Sequence, residues 1–119
     1  MRAVYILCLI LMALFIGMQY NDPDGTIWML IYAIPAVWAA IAAFRHQLLR
    51  NKVAHFALLF CIFVSVASML YFWPKTEGWW RQDVWWEEET AREGMGLMIV
   101  TIVMAIVWIG RPRSTDRVA

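Results

Sequence analysis

Charge is scarce in this chain. Only 16% of its 119 residues are charged and 63% are hydrophobic, whereas soluble domains average about 25% charged residues. The charges are confined to short blocks, which leaves long uncharged runs typical of a membrane protein. The net charge of +1 gives no support for nucleic-acid binding, and we expect no nucleic-acid partner.

Motifs that carry chemistry are missing as well. Cys8 and Cys61 lack C-x-x-C spacing, which argues against a disulfide framework or a zinc site. The sequence has no Ser-His-Asp set, glycine-rich phosphate loop or histidine-rich metal motif. No ionisable residue lies deep in an apolar run, since His55 is near the end of one, and this argues against a proton-coupled transporter. These absences disfavour an enzyme but do not exclude one.

Four apolar runs follow one another, at residues 3–20, 26–44, 53–73 and 90–109. The second run would form about 28 Å of helix at 1.5 Å per residue, close to the hydrocarbon thickness. No A-x-A-type cleavage site follows the first run, so we expect an uncleaved helix instead of a signal peptide. The sequence predicts an all-α integral membrane four-helix bundle, a single domain over residues 1–119.

Local signals predict where two of these helices begin. Asp22 precedes a proline and fits an N-cap, which would place Asp24 in the first turn. Thr90 and Glu93 match a capping box that starts the fourth helix at Thr90. The alternative is a continuous helix that begins near Asp83 and carries the acidic residues on its first turns.

Small side chains recur at helical spacing, which favours close packing between helices in lipid. In the first run, Ala13 and Gly17 share one face. The predicted packing residues of the second and third runs are Ala33, Ala36, Ala40, Cys61, Ser65 and Ser68.

Charge asymmetry predicts the orientation in the membrane. With four crossings, the termini and the middle connector share one side, which carries seven basic residues and one acid. The other side carries three basic residues and eight acids. The positive-inside rule then puts both termini in the cytoplasm, and we expect a multi-pass protein of a bacterial inner membrane.

Residues 73–93 hold five of the eight tryptophans and most of the acidic side chains. They would form an outward-facing, Trp-rich acidic cap. Tryptophans at headgroup level make an aromatic belt, and the alternative is an aromatic ligand pocket or a cation–π cage. We expect an interfacial anchor made of Trp73, Trp79, Trp80, Trp85 and Trp86.

Carboxylates gather on the same outward side. Glu89 and Glu93 are four residues apart and would share a helix face, and Asp22 and Asp24 lie in the other outward connector. If the four converge, their oxygens suit a divalent metal ion or a lipid headgroup. The alternative is that they only stabilise two helix N-termini and solvate the outer face. No cofactor is certain, and a divalent metal ion is the one candidate.

Two patterns stand out at the outward side. They are Gln19-Tyr20-Asn21-Asp22-Pro23-Asp24 with Trp28, Tyr32 and Ile34-Pro35-Ala36, and Glu88-Glu89-x-x-Arg92-Glu93-x-x-Gly96-Leu97. Together they resemble the transmembrane protein 220 family. The resemblance covers most of the chain but not the insert at residues 79–86. It implies a small multi-span protein without an assigned activity. It also implies a candidate ligand or metal site at Asn21, Asp22, Asp24, Glu88, Glu89, Arg92 and Glu93, with Gly96 as a packing position.

Two functional hypotheses follow. The first is a non-enzymatic membrane component that acts by binding in the lipid bilayer, as an accessory to another membrane protein or as a homo-oligomer. The second is an outward carboxylate site that binds a divalent metal ion or a lipid headgroup. In one version of this hypothesis the protein is a membrane enzyme that uses the site.

Overall fold

A computed structural model describes residues 2–20, 24–75 and 77–112, with the backbone alone for residues 85–87, 89 and 90. These residues form helices and short connections and contain no β-strand. The elements in chain order are α1 (Arg2–Met18), α2 (Gly25–Phe44), a 3₁₀ helix (His46–Arg50), α3 (Lys52–Tyr71), α4 (Gln82–Glu87) and α5 (Glu89–Gly110). The predicted all-α fold is confirmed.

Three helices in the described part of the chain are long and apolar enough to cross a membrane. They are α2, α3 and the Ala91–Gly110 portion of α5, with mean hydropathies of 2.0, 2.3 and 2.0. The fourth apolar helix, α1, is shorter at 17 residues. These helices carry hydrophobic residues on all sides, as expected in a membrane, because a helix surrounded by lipid needs no polar face.

The apolar helices alternate in direction and pack in the order α1, α2, α5, α3. Phe15 of α1 meets Tyr32 of α2, and Trp28 of α2 meets Phe72 at the end of α3. We call the end where α2 and α5 begin the acidic end, and the end where α3 begins and α5 finishes the basic end. The long axis of the molecule measures 51 Å, more than the roughly 30 Å of a hydrocarbon core.

The α3 helix is the least enclosed of the membrane-length helices. Only 11% of its 18-residue apolar stretch is buried inside the molecule, compared with 44% for α2 and 39% for the Ala91–Gly110 span. Its two fully buried residues are Leu58 and Ser65. Seven more of its residues are half-buried, and the others are exposed to lipid or to another protein.

A hydroxyl chain links α3 to α5 in the apolar interior. The Ser65 hydroxyl donates to the carbonyl of Ile62 at 2.8 Å. The Thr101 hydroxyl lies 3.2 Å from the Ser65 oxygen and 2.9 Å from the Leu97 carbonyl, and its single hydrogen serves one of them at a time. Such contacts hold helices together where apolar surface alone gives no preference over lipid.

The predicted packing face of α1 is wrong. Ala13 and Gly17 are exposed, and a Cβ on Gly17 would meet nothing within 4 Å. The buried residues of α1 are instead Tyr5, Cys8 and Met12, which recur at spacings of three and four. Larger side chains fill the space against α2, so the small residues turn outward.

The predicted start of α2 is also wrong. Asp24 occupies the N-cap position and α2 begins at Gly25, so Asp24 is not in the first turn, and Asp22 lies outside the described residues. A Cβ on Gly25 would collide with the carbonyl oxygen of Gln19, so a glycine allows the end of α1 to approach the first residue of α2.

Both predicted starts of the fourth membrane helix are wrong. The N-cap residue of α5 is Glu88, without a side-chain cap hydrogen bond, and Thr90 is already helical. The backbone of Glu88 is extended, with φ −93° and ψ 110°. That conformation separates α4 from α5 and rules out one continuous helix from Asp83.

Candidate ligand site at the acidic end

Asp24 is the sequence-predicted site residue that the structure describes most completely. Its Oδ2 accepts a hydrogen bond from Nε1 of Trp28 at 3.1 Å. Its Oδ1 is buried and has no hydrogen-bond partner among the described residues. A buried carboxylate oxygen without a donor is costly, because the charge has left water without full compensation. The arrangement therefore suits a positively charged or hydrogen-donating ligand.

Aromatic rings surround the first turns of α2 beside Asp24. Trp28 is 5% exposed and Tyr32 is 4% exposed. The Trp28 ring lies 5.8 Å from Phe72 and 6.0 Å from Tyr32, and Phe15 meets Tyr32 edge-to-face at 5.3 Å between centroids. The rings come from α1, α2 and the end of α3, so they fix the position of the Asp24 carboxylate.

Two glycines let the first turns of α5 approach this cluster. A Cβ on Gly96 would collide with the hydroxyl of Tyr32. A Cβ on Gly94 would lie 2.6 Å from the carbonyl oxygen of Phe72 and from the ring of Pro74. Any larger residue at either position would push α5 away from α2 or from the end of α3.

The acidic residues of the second pattern lie on the neighbouring part of α5. Glu88 is exposed, while Arg92 and Glu93 are half-buried and each has an interaction partner. The Tyr32–Gly96 contact therefore brings the Asp24 half of α2 beside the turn that carries Glu93. Asn21 and Asp22 lie outside the described residues, as does the side chain of Glu89. Within the described residues, no group of three His, Cys, Asp or Glu is arranged to hold a metal ion.

The predicted tryptophan anchor lies in the connection before α5. Trp73, Trp79 and Trp80 form an edge-to-face series with centroids 5.8 and 5.5 Å apart. Trp80 is the most open of them, with 62% exposure. Gly78 makes the turn here at φ +70°, a conformation that glycine adopts readily. Trp85 and Trp86 belong to α4, but only their backbone is described, and the aromatic belt stays a prediction.

A family comparison adds an independent observation. The model of the family described as "Transmembrane family 220, helix" matches residues 4–109. That range includes nearly all of α1 and α5 and everything between them. The chain belongs to this family. It is a family of membrane proteins whose function is unassigned, and no solved structure gives a significant match to the chain.

Packing positions were predicted both from the family resemblance and from the spacing of small residues. Ala36, Ser65 and Gly96 are buried, and the half-buried positions are Ala33, Ala40, Cys61 and Ser68. Ala39 and Ala42 are more deeply buried, at 0% and 2% exposure. The tightest contacts of α2 therefore lie slightly further round the helix than the predicted residues.

Sequence reasoning did not assign the four aromatic residues Phe15, Trp28, Tyr32 and Phe72 to the site, although Trp28 and Tyr32 belong to the first family pattern. Trp28 follows Asp24 by four residues, and Tyr32 follows by four more, so the three share one helix face. That spacing was a usable signal for a carboxylate with aromatic neighbours. Phe72 gave no such signal, because its contact with Trp28 depends on how α3 packs against α2.

Proposed function

We propose that this member of the family crosses the bilayer four times as a helix bundle, with both termini in the cytoplasm of a bacterium. The basic end carries Arg2, Arg45, Arg50, Lys52 and Arg111, which supports this orientation under the positive-inside rule. The α1 helix of 17 residues is within the range of about 17–25 residues for a transmembrane helix. The acidic end, with its Trp-rich connection, then faces outward at headgroup level.

The function we propose is binding of a cationic ligand at the outward, acidic end. One observation carries it: the buried Oδ1 of Asp24, unpartnered next to a fixed Oδ2. A carboxylate accepts hydrogen bonds and attracts positive charge but donates nothing when ionised. A cation is therefore the ligand class that compensates this oxygen.

Two sources supply such a cation, an ammonium-bearing lipid headgroup and a divalent metal ion. Calcium takes about six to eight oxygen ligands, and the side chains of Asp22 and Glu89, which were predicted to supply some of them, lie outside the described residues. Aromatic rings beside a carboxylate are typical of ammonium recognition, because the ring faces attract cations. We therefore propose the ammonium headgroup as the ligand and keep the metal ion as an arm of the test.

The test is a ligand titration of the purified full chain in neutral detergent, followed by its melting temperature. Ethanolamine, choline and the chlorides of Mg²⁺, Ca²⁺ and Mn²⁺ are the probes. A ligand at about 100 times its Kd should stabilise the fold by about 2.7 kcal/mol. Asp24→Asn should abolish that response. Asp83→Asn is the matched control, since Asp83 is an exposed carboxylate 2.8 Å from Arg81 near the same end.

The outcomes separate the two ligand sources. A response to the ammonium compounds that depends on Asp24 supports the headgroup site, and a response to one metal ion alone supports the metal site. A wild-type protein that responds to no probe would exclude cation binding. An equal response in Asp24→Asn and wild type would assign the binding to another part of the molecule.

A second candidate function is an accessory role in which α3 contacts another membrane protein or a second copy of the chain. The observation behind it is the exposure of α3, since only 11% of its apolar stretch is buried inside the molecule. Extraction in native lipid discs without detergent, followed by mass measurement, tests it. A complex heavier than one chain, with fixed stoichiometry, supports the accessory role. A single chain in every disc contradicts it and means that α3 contacts lipid alone.

A further inference from the structure

The basic end differs from the acidic end in its chemistry. Among the residues that the structure describes there, the charged side chains are Arg2, Arg45, Arg50, Lys52 and Arg111, and none is a carboxylate. They come from the start of α1, the 3₁₀ connection, the start of α3 and the end of α5. An anion is the ligand class that this end would attract.

Arg111 is held in place by the last turn of α5. Its guanidinium carbon lies 3.6 Å from the centroid of the Trp108 ring, and its Nη1 donates to the Trp108 carbonyl at 2.7 Å. The Trp108 ring also contacts His55 of α3, with centroids 4.7 Å apart. These two contacts fix the orientation of the guanidinium, and Arg111 makes no further hydrogen bond to a described residue.

A histidine joins the 3₁₀ connection to the same turn. Nε2 of His46 lies 3.1 Å from the carbonyl oxygen of Gly110, an acceptor for the ring N–H. On the other side, the His46 ring meets Tyr5 edge-to-face at 5.8 Å. The Arg2 guanidinium lies 5.5 Å from the centroid of Phe44, at the end of α2. These contacts lie at the basic end, and we call the set of cations that four chain segments contribute to this end the ledge.

Apolar surface continues directly from this ledge towards the middle of the membrane. Val53, Phe56 and Phe60 follow Lys52 along α3 and are 76%, 57% and 68% exposed. Ile109 precedes Gly110 and Arg111 on α5 and is 68% exposed. A ligand with an anionic head and long apolar chains would match both parts at once.

We propose that the basic end binds an anionic phospholipid, with Arg111 as the anchoring cation for its phosphate and the exposed face of α3 along its acyl chains. A planar guanidinium donates two parallel hydrogen bonds to phosphate oxygens. Stacking on Trp108 removes part of the side-chain freedom that binding would otherwise cost. Basic pockets between membrane helices are suited to such headgroups. This inference is independent of the cation site at the acidic end.

The experiment measures lipid binding to the purified full chain in neutral detergent by native mass spectrometry. The probes are phosphatidylglycerol, phosphatidylcholine with the same acyl chains, and inorganic phosphate. The test variant is Lys52→Gln with Arg111→Gln, and the matched control is Lys75→Gln with Arg81→Gln at the acidic end. At about fivefold per charge, the test variant should bind phosphatidylglycerol roughly 30-fold more weakly, while the control should bind like wild type.

Binding should also weaken as ionic strength rises, because salt screens exposed charges. Phosphatidylcholine bound as tightly as phosphatidylglycerol would overturn the proposal, and so would equal losses in the two variants. Inorganic phosphate bound with the same affinity would reassign the site to free anions. If the test variant does not fold, the salt dependence of wild type decides, and binding that is independent of salt refutes the proposal.

Discussion

The indole N–H of Trp28 donates to the carboxylate of Asp24 one helical turn earlier, at 3.1 Å. The bond joins the N-cap position of α2 to a ring that is 5% exposed. Asp24 therefore orients a buried tryptophan instead of capping backbone N–H groups, since its side chain makes no cap hydrogen bond. The other oxygen of the carboxylate, Oδ1, is buried and has no hydrogen-bond partner among the described residues.

Asp24→Ala should destabilise the protein by about 1–2 kcal/mol, because the buried Trp28 N–H loses its acceptor. Asp24→Asn keeps an acceptor oxygen and should lose less. Detergent-induced unfolding in mixed micelles measures both values. Asp83→Ala serves as the control, since its ion pair with Arg81 is more than half exposed and should contribute about 0–1 kcal/mol. Equal losses at Asp24 and Asp83 would contradict the role of the Trp28 contact.

Gly94→Ala and Gly96→Ala should each destabilise the protein by about 1–3 kcal/mol through overpacking. The added methyl of Gly96→Ala meets the Tyr32 hydroxyl, so Tyr32→Phe should recover part of the loss in the double variant. Gly94→Ala meets the backbone of Phe72, which cannot move aside as a side chain can. Gly17→Ala is the control and should be neutral or slightly stabilising, because its methyl meets open space. Equal changes in stability for the three glycine-to-alanine variants would contradict the contacts of Gly94 and Gly96.

The helical fold was predictable from the sequence, because the length and hydropathy of an apolar run depend on local composition. The side of a helix that faces its neighbours was less accessible. Small residues predicted contact at Ala13 and Gly17, but Tyr5 and Met12 fill that interface instead. The contact of His46 with Gly110 joins residues 64 positions apart. No local pattern reveals such a pair, which exists only because α5 finishes beside the 3₁₀ helix.

The candidate site was predictable in part. Asp24 and the α5 segment with Glu93 were expected on one side of the membrane, and the Tyr32–Gly96 contact joins their helices. The surrounding rings could not be derived, because Phe15 and Phe72 reach Tyr32 and Trp28 from other helices. Aromatic residues in apolar runs are common, so their presence alone does not distinguish a site from ordinary packing.

Tyr5→Phe should leave stability unchanged or raise it by about 1 kcal/mol. The Tyr5 hydroxyl is buried without a hydrogen-bond partner among the described residues, and removing such a group removes a desolvation cost. The ring contact with His46 is retained. Tyr71→Phe is the matched control, because Tyr71 is 80% exposed and should change stability by less than about 0.5 kcal/mol. A clear loss in Tyr5→Phe would mean that the hydroxyl has a partner in the membrane, such as water or lipid.

Thr101→Val should cost about 0.6 kcal/mol, and at most about 1.7, the range for hydrogen bonds between membrane helices. Valine keeps the shape of threonine and removes the donor to Ser65. In the Thr101→Val background, Ser65→Ala should cost less than in wild type, because the two hydroxyls act as a pair. Ser68→Ala is the control, as Ser68 donates no side-chain hydrogen bond to another described residue. Additive effects at Ser65 and Thr101 would show that the pair does not join α3 to α5.

The orientation of the chain is open to test with single cysteines at its two exposed connections. Glu77 lies between α3 and α4, and Gln47 lies in the 3₁₀ helix, and both are exposed. In intact cells, Glu77→Cys should react with a membrane-impermeant maleimide, whereas Gln47→Cys should react only after permeabilisation. Wild type controls for background, because Cys8 is buried and Cys61 is half-buried within apolar helices. The opposite pattern would reverse the topology, which would place the Asp24 site in the cytoplasm and the Arg111 site outside. Labelling of both positions in intact cells would contradict four crossings, since α3 would then have both of its ends on one side.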